Sequence, residues 1–155
     1  MIVFALRHAD RTSADDLSPA GQERAKLLAR MLADSGVSVV FRSDAVRAAR
    51  TVEPLKLRLG NALTVNEVGF PESNGIAHHV ATIVQAIKSQ PADAVVAVVG
   101  HSNTVGLILQ ELGSGPIGPI ADNEFDKLFV LFRGANLPPT LLMLRYGAAS
   151  ISKQE

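Results

Sequence analysis

Two stretches place reactive side chains directly after apolar runs. Arg7, His8 and Asp10 end VFALRHAD at residues 3–10, and His101 follows AVVAVVG at 94–100. An imidazole can serve as nucleophile, general acid or base, or metal ligand. A neighbouring guanidinium can neutralise phosphoryl oxygens through paired hydrogen bonds, and Arg7 is adjacent to His8. Arg47 stands about one turn after Asp44 at the start of a predicted helix, from which it can point to the same rim. Free N–H groups at helix starts after Asp44 and His101 would add affinity for an anion. A lone histidine at a strand end is more often structural. Two of them after two predicted parallel strands, with arginines at hand, shift the balance toward chemistry.

The elements that must hold these groups alternate strand and helix. Residues 2–7 and 94–99 are short continuous apolar runs and read as buried strands. Ser18-Pro19 reads as an N-cap followed by proline in the first turn. Ala25, Leu28, Ala29 and Leu32 supply the apolar face, and Gly36 is the stop. A second strand is expected over 37–41. A helix over about 45–59 would be capped by Ser43 or Asp44 and bent or split by Pro54. After a turn at Gly60-Asn61 come a short strand at 62–65, a loop at 66–75 and a helix at about 76–89 that Pro91 ends. A helix from Thr104 to Leu112, a Gly/Pro-rich surface loop at 113–123 and closing strands at 127–132 and 140–145 complete the chain. This order predicts a single domain over 1–155, a three-layer α/β/α sandwich with a mostly parallel central sheet. Such sheets bind ligands beyond the carboxyl ends of their strands, where Arg7 and His8, Ser43 and Asp44, and Gly100 and His101 all fall.

Composition narrows the function classes. The chain has 155 residues, 47% hydrophobic and 19% charged, enough for a sizeable core. Its 15 basic and 15 acidic residues cancel, which argues against nucleic acid or a membrane surface as partner while permitting a local basic pocket. With no cysteine, disulfides, thiol nucleophiles and Cys-based zinc sites are excluded, and a cytoplasmic location is expected. Neither a signal peptide nor a spanning helix is read.

Four segments, in order, resemble the histidine phosphatase superfamily of phosphoglycerate-mutase-like fold. LRHAD is similar to its Leu-Arg-His-Gly-Glu opening, and LSPAGQERAKLLARML to its Leu-(Ser/Thr)-x-x-Gly helix start. RSDAVRAARTVEPL resembles its Ser-x-x-x-Arg-Ala-x-x-Thr segment, and VVAVVGHSNTVGLIL its second-histidine strand and loop. The resemblance implies a small, metal-independent phosphatase without cofactor. His8 would be the nucleophile carrying a transient phosphoryl group, with Arg7, Arg47 and His101 binding the transferring oxygens. Ser102 and Asn103 would contact the phosphate or support the residues that do, through backbone and side chain. Glu67, in VNEVGF, would be the proton donor by resemblance to an Asn-Glu segment, or else a solvated loop glutamate; Glu72 is a weaker candidate. The expected partner is a small phosphorylated substrate or a phosphoprotein, with phosphate or sulfate fitting the pocket.

The chain departs from the family pattern in places. Ala9 and Asp10 replace Gly and Glu, and Ala14 stands where larger mutases have a phosphate-binding Asn; Thr12 or Ser13 could substitute through a hydroxyl. The long insertions that form a mutase lid are absent, which favours a phosphatase with an open pocket. His78 and His79 are adjacent on a predicted helix and are read as surface residues, and Arg42 and Arg50 as solvated or ion-paired. Other readings compete. Ser102 in GHSNT could begin a hydrolase elbow, but Thr104 replaces its last Gly. His8, Asp10, His78 and His101 could bind a metal, although their spacing supplies no full ligand set. A catalytically inactive phosphate-binding scaffold is a third reading. Phosphomonoester, phosphohistidine and phosphoanhydride substrates all suit the expected pocket.

Overall fold

The computed structural model describes residues 1–70 and 75–150. Among these residues the strands and α-helices are, in order, β1 (Ile2–Arg7), α1 (Pro19–Leu32), β2 (Val39–Ser43), α2 (Val46–Leu59), β3 (Thr64–Val68), α3 (Gly75–Lys88), β4 (Val95–Gly100), α4 (Val105–Glu111), β5 (Lys127–Phe132) and β6 (Thr140–Arg145). The sheet order is β3-β2-β4-β1-β5-β6. The first four strands in that order run parallel, and β5 and β6 close the sheet antiparallel. This is the expected α/β architecture. Among the described residues, no helix is long and apolar enough to cross a membrane.

Both faces of β4 and β1 are covered, which explains their unbroken apolar runs. On one face, Val3, Ala5, Val96 and Val98 pack with Ile83 and Ile87 of α3 and Ile108 and Leu109 of α4. On the other, Leu6, Val40, Ala97 and Val99 meet Leu28 and Leu32 of α1 and Val52 and Leu55 of α2.

The topology puts chemistry in the middle of the sheet. Strand β4 inserts between β2 and β1, so the strand that ends in Ser43 and the strands followed by His101 and His8 lie side by side. Adjacent strands lie about 5 Å apart, close enough for side chains at their ends to meet. The register aligns Arg7 with Gly100, and the His8 amide donates to the Gly100 carbonyl at 2.8 Å.

Several boundaries differ from the sequence reading. Strand β2 begins and ends two residues later than expected, and β3 runs over 64–68 instead of 62–65. Glu67 therefore lies in a strand, paired in register with Arg42, and not in a loop. Helix α2 passes through Pro54 without a break. Neither Ser43 nor Asp44 caps it: its N-cap is Ala45, which offers no side-chain acceptor.

Candidate active site

The segment after β1 is fixed before it reaches the cleft. Gly21, in the first turn of α1, lets the chain at Asp10 lie against the helix, because a Cβ there would sit 2.0 Å from the Asp10 carbonyl oxygen. That oxygen accepts from the Ser18 amide at 2.9 Å, while the Ser18 hydroxyl caps α1 through the Gly21 amide at 3.2 Å. The Asp10 carboxylate is gripped by Arg24, Nε to Oδ2 at 2.6 Å. The same buried guanidinium also donates to the carbonyls of Tyr146 and Ala148. One residue earlier, the Ala9 amide donates to Thr51 Oγ1 of α2 at 2.9 Å, and Thr51 donates to the Arg47 carbonyl at 2.8 Å. His8 is thus clamped from α1 and α2 together.

Hydrogen bonds assign the His8 tautomer. Its Nδ1 lies 2.8 Å from the Ala9 carbonyl, which can only accept, so Nδ1 carries the proton. Its Nε2 then presents a lone pair, and Arg47 Nε donates to it at 3.1 Å. His101 holds the opposite tautomer. Arg47 Nη2 donates toward its Nδ1 at 3.3 Å, leaving Nε2–H to donate to Ser43 Oγ at 2.7 Å. The two rings stand edge to face with centroids 5.3 Å apart. Burial is the main force that keeps both neutral, and Arg7 and Arg47 reinforce it: His8 is pushed down to about 3 and His101 to about 4.

Arg7 completes the group. Its Nη1 donates to the carbonyls of Ala121, Asp122 and Glu124 at 2.8–3.0 Å, and its guanidinium lies 4.1 Å from the centre of the Phe125 ring. Its Nε is buried with no partner among the described residues, an N–H donor that could meet an anion. Beside these groups opens a cleft of about 280 Å³ lined by Ser43, Asp44, Arg47, Phe70, His101 and Asn103. A larger groove of about 370 Å³ between α1 and α2 contains neither histidine, whereas the smaller cleft is lined by His101 and by the Arg47 that bonds His8, so the candidate site is placed there.

The other expected site residues lie elsewhere. Glu67 pairs with Arg42 at 2.9 Å and faces an adjoining groove that shares Asp44 and Phe70 with the cleft. Glu72 is outside the described residues. Ser102 lines a separate cavity with Gly106 and Ile117, and the imidazole of His101 contacts Ser43 and Arg47 instead. Thr12 and Ser13 are exposed, and the Thr12 hydroxyl bonds within its own loop to Ala14. Among the described residues, no group of three or more His, Cys, Asp or Glu is arranged to hold a metal.

Asp15 and His79, like the Phe70 that lines the cleft, were not assigned to the site by the sequence reading. Asp15 reaches from the loop before α1 to the start of α2, accepting from the amides of Val46 and Arg47 at 3.0 and 3.1 Å and from Arg47 Nη1 at 2.8 Å. Burial opposes its ionisation, but those amides and the guanidinium outweigh it and hold the carboxyl at about 2. An alanine at the N-cap of α2 was the available signal, since such a helix must find its acceptor elsewhere. His79 is buried, not on the surface. Its Nδ1 donates to the Gly69 carbonyl at 3.1 Å, and its ring packs on Phe70, with centroids 4.9 Å apart.

Comparison with known proteins agrees with this architecture. The sequence profile described as histidine phosphatase superfamily (branch 1) matches residues 7–74. No curated protein matches the sequence. Among solved structures, the chain is similar to the protein histidine phosphatase SixA complexed with tungstate (21% identity, TM-score 0.65, covering 94% of this chain and 97% of that one). It is also similar to the mycobacterial glucosyl-3-phosphoglycerate phosphatase Rv2419c (16%, 0.64, 96% and 99%). A third is the putative phosphohistidine phosphatase SixA from Agrobacterium tumefaciens (23%, 0.63, 94% and 97%). At these identities the structural likeness establishes the shared fold.

Proposed function

We propose that this chain, which carries the fold and N-terminal sequence signature of the histidine phosphatase superfamily, is a metal-independent phosphatase working through a phosphohistidine on His8. One observation carries the reading. The Nε2 lone pair of His8 is fixed by its Nδ1 bond and aimed at the Arg47 guanidinium, which also meets the second imidazole, and the charge of Arg7 acts on the same ring. Phosphoryl transfer passes through a loose transition state, so orientation and positive charge supply most of its catalysis. Nε2 attacks phosphorus, the N–P bond forms as the bond to the leaving oxygen breaks, and the two arginines hold the equatorial oxygens. Arg47 exchanges its imidazole acceptors for phosphoryl oxygens as the substrate enters. Water then attacks the phosphohistidine, the P–N bond breaks, and inorganic phosphate leaves.

The leaving oxygen needs a proton. Glu67 is tied to Arg42 at the sheet edge, whereas Asp44 lines the cleft itself, so we assign proton delivery to Asp44. An aryl phosphate, whose phenolate leaves readily, should tolerate Asp44→Asn much better than an alkyl phosphate. A phosphohistidine protein is a second candidate substrate: imidazole is a good leaving group, and the likeness to the SixA structures spans nearly the whole chain.

The test is a screen of aryl phosphates, sugar phosphates and phosphohistidine with EDTA present, followed by acid quench. Turnover should survive the chelator. An acid-labile, base-stable phosphoryl group should map to His8, and His8→Ala should abolish both. Turnover by His8→Ala at the wild-type rate would refute the nucleophile assignment.

A further inference from the structure

We propose that Asp15 is a positioning residue for Arg47, holding one end of its guanidinium so that the opposite edge faces the reacting phosphoryl group. The proposal rests on the phosphatase reading above only for its kinetic consequence. A guanidinium has distinct hydrogen-bonding edges, and Nε–H with Nη2 forms one fork. In this structure that fork addresses both imidazoles: Nε to His8 Nε2 at 3.1 Å and Nη2 to His101 Nδ1 at 3.3 Å. Nη1 is turned away and taken by Asp15 Oδ1 at 2.8 Å.

The same carboxylate binds the start of α2, from which Arg47 projects. Oδ1 also accepts from the Arg47 amide and Oδ2 from the Val46 amide. One side chain therefore ties the backbone and the guanidinium of Arg47 to a single point. Without that anchor the long arginine side chain regains rotamer freedom, and the first two amides of α2, those of Val46 and Arg47, lose the carboxylate that caps them, Ala45 supplying no side-chain acceptor. Both charged fork bonds can pass to a phosphoryl group while the Nη1 bond to Asp15 stays in place.

Asp15 also contributes a negative charge beside an anion site. Removing it strengthens the field felt by a phosphate dianion while loosening the donor that must follow the transition state. Those effects have opposite signs in KM and kcat. Asp15→Ala should lower kcat for an aryl phosphate about tenfold without raising KM, and Asp15→Glu should recover part of the loss. A merely structural contribution of the loop would lower thermal stability and the active fraction, and leave kcat per phosphorylatable site unchanged. Asp16→Ala, which weakens the same loop away from Arg47, reports that effect.

A second readout does not need catalysis. The Nε–H proton of Arg47, identified by its loss in Arg47→Lys, should give a sharp, exchange-protected nitrogen–proton NMR signal in the wild type. It should broaden or vanish in Asp15→Ala and persist in Asp15→Glu and Asp16→Ala. An unchanged signal in Asp15→Ala, or a kcat within twofold of wild type, overturns the positioning role. If the wild type turns over no phosphate ester yet the signal behaves as described, the phosphatase reading fails and the positioning of Arg47 stands.

Discussion

Two imidazoles that stay neutral in the folded protein, His8 buried and His101 half-buried, make its stability depend on pH in a calculable way. In the unfolded chain each histidine takes up a proton near its ordinary value of 6.5, whereas folding holds His8 at about 3 and His101 at about 4. Between those limits the unfolded state binds more protons, so stability falls as the pH falls. The contribution of each group is intact above the unfolded value and is lost progressively toward the folded one. From about pH 7.5 to about pH 5, each histidine should cost about 2 kcal/mol, about 4 kcal/mol together. For a chain of this size that corresponds to a fall in Tm of roughly 10 °C. Asp15, held at about 2, titrates below this window and leaves it untouched. The measurement is urea unfolding at several pH values in buffers free of phosphate and sulfate, since an anion bound to the native site would add its own stabilisation. A His8→Gln, His101→Gln double variant retains His78 and His79, so its pH slope isolates the site. A slope difference below about 1 kcal/mol over this range would show that the imidazoles protonate in place. His8 could then not offer a free lone pair in mild acid, and the nucleophile argument would fail with the stability argument.

Further outcomes follow from individual contacts. Gly21→Ala should destabilise by at least about 2 kcal/mol and lower activity, because the added Cβ would meet the Asp10 carbonyl at 2.0 Å, while Gly118→Ala, with open space around it, should be near neutral; equal midpoints in urea would contradict this. Thr51→Val leaves the buried Ala9 amide without its acceptor and should cost about 1–3 kcal/mol in denaturant unfolding, with Thr51→Ser close to wild type. Arg7→Lys keeps the charge but cannot reproduce both the carbonyl bonds and the free Nε–H, so kcat should fall about 100-fold or more; a loss under threefold in steady-state assays would remove Arg7 from the phosphate site.

How far the sequence revealed this arrangement depended on how many faces an element buries. Strands β1 and β4 lie mid-sheet with helices on both sides, so their residues are apolar without interruption and legible as strands. Strand β3 is at an edge, and its Asn66 and Glu67 look like loop residues when the pairing of Glu67 with Arg42 is not known. Strand β2 was displaced for a related reason: Arg42 and Ser43 interrupt its apolar run, yet they continue the ladder beside Glu67 and Val68. His79 was a missed signal of another kind. It lies one turn before Ile83 on the face of α3 that also carries Val80, Val84 and Ile87, so helical periodicity alone predicts its burial. Asp15 could not be found by periodicity, because its partners are backbone amides supplied by an element 31 residues away.

The site also shows why two arginines and two neutral histidines belong together. A positively charged His8 could not attack phosphorus, and in water an imidazole near pH 6 is substantially protonated. Burial, with the charges of Arg7 and Arg47 close by, disfavours that protonation, and on the proposed mechanism the same guanidiniums would attract the phosphoryl dianion. On the proposed mechanism one pair of charges would perform two tasks, adding to burial in keeping His8 unprotonated and binding the group it attacks. The arrangement makes a demand on the acid limb of kcat/KM. For an aryl phosphate that limb should follow the substrate's own second ionisation, near pH 6, and not a histidine titrating at its ordinary value. Substrates of different second ionisation separate the two. If the limb stays fixed near 6.5 while the substrate's ionisation is moved, His8 is being protonated in the free enzyme, and the arginines are not performing the first of their tasks.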